Sequence, residues 1–189
     1  MNRVLQVVVA VVVTAVAGTS VAAAQSARFG LGGGLLAPMS DYKDLDKAGW
    51  LAAANVEFAI PLSPVGIRVE GLYGQTSHKD IGGSPFAGKT KLIGGIASVV
   101  WNIPVPAPIV KPYALAGGGF YNYKLTAPDA VPPVDTSESK FAYTFGAGVK
   151  IGIGPARFFV EGRYASIQTS DFSTKFIPLI VGVTFGAKK

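Results

Sequence analysis

Between Ala27 and Phe185 eight strand-like stretches alternate with seven breaks rich in Gly, Pro, Ser and Asp. Stretches of about ten residues with alternating hydrophobicity, separated by turn residues, are how a transmembrane β-barrel is written in sequence. The charge content agrees. Only 15% of residues are charged, against about a quarter in an ordinary soluble domain. Yet beyond the N-terminal segment no run reaches the roughly 18 unbroken apolar residues of a membrane helix. A chain too apolar for water but lacking helical spans fits a barrel, whose lipid-facing residues occupy alternate positions. The expected fold class is therefore all-β, an eight-stranded antiparallel transmembrane β-barrel preceded by a cleavable signal peptide.

Met1–Ala24 reads as that signal peptide. Arg3 supplies a positive start, Val4 to Ala17 is apolar apart from Gln6 and Thr14, and Val21-Ala22-Ala23-Ala24 offers small residues for cleavage before Gln25. An uncleaved anchor helix is the alternative, but the run ends in the small-residue pattern and not in a basic stop-transfer flank. Residues 25–189 are then expected to form one β-barrel domain. The chain has no cysteine, which removes disulfides, thiolate metal sites and a lipid-anchored cysteine.

The strands are expected at Ala27–Pro38, Trp50–Ile60, Gly66–Thr76, Thr90–Asn102, Lys111–Lys124, Phe141–Ile153, Ala156–Gln168 and Lys175–Phe185. The second sets Trp50, Ala52, Ala54, Val56, Phe58 and Ile60 on one face and Asn55 and Glu57 on the other. The sixth sets Phe141, Tyr143, Phe145, Ala147, Val149, Ile151 and Ile153 against Ala142, Thr144, Gly146, Gly148, Lys150 and Gly152. The eighth sets Ile177, Leu179, Val181, Val183 and Phe185 against Gly182 and Thr184. Period two gives one apolar face and one small or polar face, as lipid outside and a narrow lumen inside demand. An eight-stranded barrel is only just wide enough for side chains to fill. Small inner residues, and the glycine runs Gly32–Gly34, Gly94-Gly95 and Gly117–Gly119, leave room for a few long charged groups.

The breaks orient the barrel. Met39–Gly49, Ser77–Lys89, Leu125–Lys140 and Thr169–Thr174 are generally longer and more polar than Pro61–Val65, Ile103–Val110 and Gly154-Pro155. Outer membrane barrels have short periplasmic turns and longer extracellular loops. The first set is thus expected outside, with the third, carrying Pro128, Pro132, Pro133, Asp129, Asp135 and Glu138, as the principal contact surface. Trp50, Trp101, Tyr113, Tyr123, Phe141, Tyr143, Tyr164 and Phe176 fall near strand ends and are expected to form interfacial girdles.

A short internal repeat locates the interior. Val69-Glu70-Gly71-Leu72-Tyr73 and Val160-Glu161-Gly162-Arg163-Tyr164 lie on the third and seventh strands, which face each other across a closed eight-stranded barrel. Glu70 and Glu161 are therefore expected to point inward from opposite walls. Arg68 shares a face with Glu70, and Arg163 with Glu161. Counting across the turns brings Lys150 roughly opposite Glu161 and Glu57 close to Arg68 and Glu70. Buried charges must be paired to be tolerable, so a lumen network of Glu57, Arg68, Glu70, Lys150, Glu161 and Arg163 is expected, with Lys91 a further candidate. It is read as a plug that closes the interior; an ion or proton path is the alternative.

No catalytic, cofactor or metal site is expected. His78 is the only histidine and follows Ser77, but strand neighbours point to opposite faces, so the two do not form a nucleophile–base pair. Asp41, Asp44 and Asp46 lack the ligand spacing and glycine of a calcium loop. Gly88-Lys89-Thr90 lacks the upstream glycine of a phosphate loop. The mature chain has 16 basic side chains (17 less Arg3) against 11 acidic, a balance of +5. This suits contact with anionic lipopolysaccharide phosphates; nucleic acid is not an expected partner.

Lys111-Pro112-Tyr113-Ala114-Leu115-Ala116-Gly117-Gly118-Gly119, Phe159-Val160-Glu161-Gly162-Arg163-Tyr164, and Phe176-Ile177-Pro178-Leu179 running to Gly182-Val183-Thr184-Phe185 carry a resemblance. In order and spacing they resemble the outer membrane β-barrel domain family, the OmpA/OmpX-like eight-stranded barrels. The resemblance implies location in the bacterial outer membrane and insertion by the barrel assembly machinery, with no single activity. Such barrels usually end in an aromatic residue that assists assembly. Here Phe185 is followed by Gly186-Ala187-Lys188-Lys189, so Phe185 is expected to serve with a short basic tail behind it. The function expected is a structural or surface-interaction role, a closed barrel in outer membrane lipid displaying loops to an extracellular ligand. The alternatives are a lumen ligand-binding or narrow-pore transport protein and, third, a membrane-lipid-modifying enzyme.

Overall fold

A computed structural model describes residues 27–38, 48–77, 89–127, 134–153, 156–168 and 173–186. The signal peptide, the aspartates at 41, 44 and 46, His78 and the prolines at 128, 132 and 133 lie outside the described residues.

Eight strands follow one another: β1 (Ala27–Pro38), β2 (Gly49–Ala59), β3 (Val65–Ser77), β4 (Lys89–Asn102), β5 (Val110–Ala127), β6 (Val134–Ile153), β7 (Ala156–Gln168) and β8 (Ser173–Gly186). Each pairs antiparallel with the next, and β1 pairs with β8 to close the barrel. Closure leaves no edge in the spanning region, the condition for backbone polar groups to survive in hydrocarbon.

Period two decides which side chains face inward. On β2, Leu51, Ala53, Asn55 and Glu57 are buried while Trp50, Ala52 and Ala54 are exposed. The expected faces of β6 and β8 hold in the same way. On the strands without a clear sequence pattern, Leu92, Ile96, Ser98 and Val100 of β4 and Tyr113, Leu115 and Tyr121 of β5 face the lumen. Phe29, Leu31, Leu35, Ile67, Val99, Phe120, Phe158, Val160, Leu179 and Val181 form an apolar outer band.

Two expected girdle residues are corrected. Tyr113 is 1% exposed and Phe176 5%, because both fall on the inner parity of their strands. Trp50, Trp101, Phe141 and Tyr143 do lie on the outer surface, where Tyr164 stacks on Phe145 at 4.9 Å between ring centroids.

The third outer connection is also corrected. The residues expected as a loop over Leu125–Lys140 are largely ladder, with pairing continuing to Ala127↔Val134. The stretch Asp135–Lys140 shows no apolar alternation, the signal on which the expectation rested. β6 has 20 residues, whereas about 9–11 span a bilayer, and a ladder standing clear of lipid needs no apolar face.

The lumen is packed along its height. Toward the long-loop end Leu36, Leu51, Leu72, Leu92, Tyr121, Phe176 and Ile167 belong to one buried apolar cluster, which also includes Phe159 and Ile180. Nearer the short turns Val100, Tyr113 and Leu115 form another. Glycine makes this packing possible at a definite place. Gly32 of β1 pairs with Gly182 of β8, and Phe159 of β7 pairs with Gly182. A Cβ at Gly182 would stand 2.6 Å from the Phe159 ring and one at Gly32 would stand 3.1 Å from it. The bare backbone of two strands is the floor on which that ring lies.

Candidate functional site: the charged lumen

All six residues expected in the lumen network are buried, none more than 5% exposed. Glu57 comes from β2, Arg68 and Glu70 from β3, Lys150 from β6, and Glu161 and Arg163 from β7. The Lys150 amine donates to Glu57 Oε1 at 2.6 Å and to Asn102 Oδ1 at 3.1 Å. Arg68 donates from Nη2 to Glu57 Oε2 at 2.8 Å and from Nη1 to Glu161 Oε2 at 2.7 Å. Arg163 donates from Nε to Glu161 Oε1. Its two terminal nitrogens fork onto the Glu70 carboxylate, the longer contact being 2.7 Å. The result is an unbranched chain of alternating sign: Lys150, Glu57, Arg68, Glu161, Arg163, Glu70. Three cations meet three anions, and the chain is neutral.

Three of these contacts cross the lumen: Glu57 to Lys150, Arg68 to Glu161, and Glu70 to Arg163. Each joins residues 93 apart in sequence. The matching Glu70 and Glu161 of the sequence repeat are 91 apart (161 less 70). The offset of two is one position along the same face of a strand. Both glutamates do point inward from opposite walls, but at different heights, so each faces an arginine and not the other glutamate. Like charges are thereby kept from sharing a level in a space with little water to screen them.

One expected contact is corrected. Lys150 stands opposite Phe159, and Gly148 stands opposite Glu161. The β6–β7 ladder runs right up to its turn, with Ile153 facing Ala156, which places Lys150 two residues short of Glu161. Its amine turns instead to Glu57 on the far wall. Lys91 is exposed and stands apart from the chain of charges. Glu57 pairs directly with Arg68, whereas Glu70 stands opposite Asn55.

Tyr113 joins this network although it was not among the residues expected there. Its hydroxyl donates to Glu161 Oε2 at 2.6 Å. Its ring takes Lys150 Nζ at 4.6 Å and the Arg68 guanidinium at 5.3 Å from its centroid, both within cation–π range. Gly148 lies between Tyr113 and Glu161 in the register. A Cβ there would stand 2.7 Å from the tyrosine oxygen, so glycine at 148 is what lets the hydroxyl reach across β6. The signal available was the tyrosine's inner parity, hidden by the mixed pattern of β5.

Chemically, every acceptor of this site faces a cation or hydroxyl donor, and no carboxylate is held apart as a base. Among the described residues no group of His, Asp, Glu or Cys is arranged to hold a metal ion. Phe185, the expected assembly residue, is half exposed on the outer face and pairs with Phe29 and Ala156.

The sequence matches the family described as outer membrane protein beta-barrel domain over residues 8–185. The structure is similar to that of Neisserial surface protein A, with a TM-score of 0.65 at 15% identity, covering 86% of this chain and 97% of that one. It is also similar to Ail, the attachment invasion locus protein of Yersinia pestis, in a complex with the heparin analogue sucrose octasulfate. There the TM-score is 0.55 at 18% identity, covering 84% of this chain and 97% of that one. A search of the curated proteins gives no match. At these identities the structures speak for the fold, and the family match over nearly the whole length speaks for membership. The chain belongs to the outer membrane protein β-barrel domain family and resides in the bacterial outer membrane.

Proposed function

We propose that this protein is a closed, non-enzymatic scaffold that anchors extracellular loops in the outer membrane for structural or surface-interaction work. The observation that carries this is the neutral lumen network, backed by the apolar cluster toward the extracellular end. A conducting path needs mobile water and uncommitted charge along the axis. Here the charges are committed to one another, and Leu36, Leu51, Leu92, Tyr121 and Phe176 fill the space above them. The same filling speaks against a ligand held in the lumen. The β5–β6 hairpin, longer than the bilayer requires, is the surface best placed to meet an extracellular ligand. Ail, a barrel of the same fold, has been crystallised with a heparin analogue, so a polyanionic ligand is a reasonable first probe for a mature chain of balance +5 (16 basic less 11 acidic). Contact with lipopolysaccharide phosphates rests on the same charge, and recognition by the assembly machinery on the Phe185 end of β8.

The deciding experiment is planar-bilayer recording of the refolded protein. No steady unit conductance is expected. Reproducible single-channel steps would overturn the scaffold reading in favour of a pore.

A further inference from the structure

Two arginines stand outside the neutral chain of charges. Arg28 of β1 and Arg157 of β7 flank β8 at the periplasmic end, where Arg28 pairs with Gly186 and Arg157 with Thr184. Both fall on the inner parity of their strands and are half-buried. A Cβ at Gly186 would stand 2.7 Å from Arg28 Cγ, so the Arg28 stem lies against bare backbone on the side toward Arg157. Arg28 bears unfavourably on the charges of both Arg157 and Lys150, and Glu57 offsets part of this at Arg157 without pairing with it. The acid nearest to hand is Glu57, paired opposite Arg28. Both its oxygens are already occupied, one by Lys150 and the other by Arg68. Among the described residues no ion pair joins Arg28 or Arg157 to a carboxylate. The network is balanced without them, and they add two positive charges on the inner parity of strands that flank β8 at this end.

Partly desolvated like charges repel, and such an arrangement persists where something negative relieves it. Two planar guanidinium forks fit the oxygens of a phosphate, each offering paired donors. Arg28 and Arg157 lie within two residues of the strand ends at the short-turn side of the barrel, so phosphate from solution or from a lipid headgroup is the source to distinguish. We propose that Arg28 and Arg157 form a binding site for a phosphate oxyanion at the periplasmic mouth of the lumen, below the plug.

The test uses the full mature barrel refolded in phosphatidylcholine vesicles and unfolded in urea. Inorganic phosphate is titrated against sodium chloride of equal ionic strength. At a phosphate concentration ten times Kd the folded-to-unfolded ratio should rise about elevenfold. A second arm without free phosphate replaces part of the lipid with phosphatidylglycerol; a rise there alone identifies the headgroup as the source. Arg157→Gln and Arg28→Gln should each abolish the phosphate-dependent rise and, by removing repulsion, unfold at higher urea in phosphate-free buffer. Phosphorus NMR of inorganic phosphate with the wild-type barrel gives a reading that needs no variant, line broadening being expected. A rise equalled by sodium chloride, a rise that survives both substitutions, or no effect of either free phosphate or phosphatidylglycerol would overturn the proposal.

Discussion

Glu161→Gln is the substitution that most directly interrogates the lumen. Glu161 is 1% exposed and accepts from three donors: Arg68 at 2.7 Å, Tyr113 at 2.6 Å, and Arg163. It is the only link between the lower half of the charge chain (Lys150, Glu57, Arg68) and the upper half (Arg163, Glu70). The amide is nearly isosteric, so packing is preserved and only charge is lost. Neutralising it leaves two arginines facing one another across the gap, with Glu57 already shared between Arg68 and Lys150. Breaking a buried ion pair from one side costs about 3–5 kcal/mol, whereas an exposed pair is worth about 0–1 kcal/mol. The first range applies here. Urea unfolding in lipid vesicles, followed by heat-modifiability on a gel, should show a loss in that range with the barrel still able to fold. Arg68→Gln in the same chain restores neutrality, and the double variant should lose less than the sum of the two singles, by about 0.5–3 kcal/mol. Planar-bilayer recording of Glu161→Gln should remain silent, since the apolar cluster above is untouched. A loss below about 1 kcal/mol, or strict additivity in the cycle, would show that the network does not hold the walls together.

Three further outcomes follow from particular contacts. Gly148→Ala should drive Tyr113 away from Glu161 and cost about 1–3 kcal/mol by overpacking, visible as a lower urea midpoint and a change in tyrosine fluorescence. Leu62, in the turn between β2 and β3, has a φ of +61° and is fully exposed; Leu62→Asn should stabilise the barrel by up to about 1 kcal/mol by relieving the left-handed penalty, measured in the same unfolding assay. Deleting Lys188 and Lys189 should leave outer membrane levels unchanged, while Phe185→Ala should lower them in a fractionation experiment; normal insertion of Phe185→Ala would remove Phe185 as the assembly residue.

Some of this barrel was legible in the sequence because lipid and lumen impose a period of two. Trp50 to Phe58, Phe141 to Ile153 and Ile177 to Phe185 state their outer faces without help. β5 does not, since Tyr113-Ala114-Leu115-Ala116 is apolar on both faces, and so Tyr113 was expected in a girdle. The Asp135–Lys140 ladder was equally hidden, because a strand clear of the bilayer is held by backbone pairing and carries no alternation.

The sequence by itself determined the number of strands, the faces of the clearly alternating ones, the end at which the short turns lie, and the six charges that must meet inside. These are local matters, set by side-chain alternation, by proline and glycine in the breaks, and by the cost of a lone buried charge. Only the tertiary structure decided which charge meets which. A shift of two residues along a strand keeps the same face but changes its height by about 7 Å. No local pattern distinguishes the two registers. The closed ladder does, and it sets Arg68 before Glu161, Arg163 before Glu70 and Lys150 before Glu57, leaving Arg28 and Arg157 outside the balance.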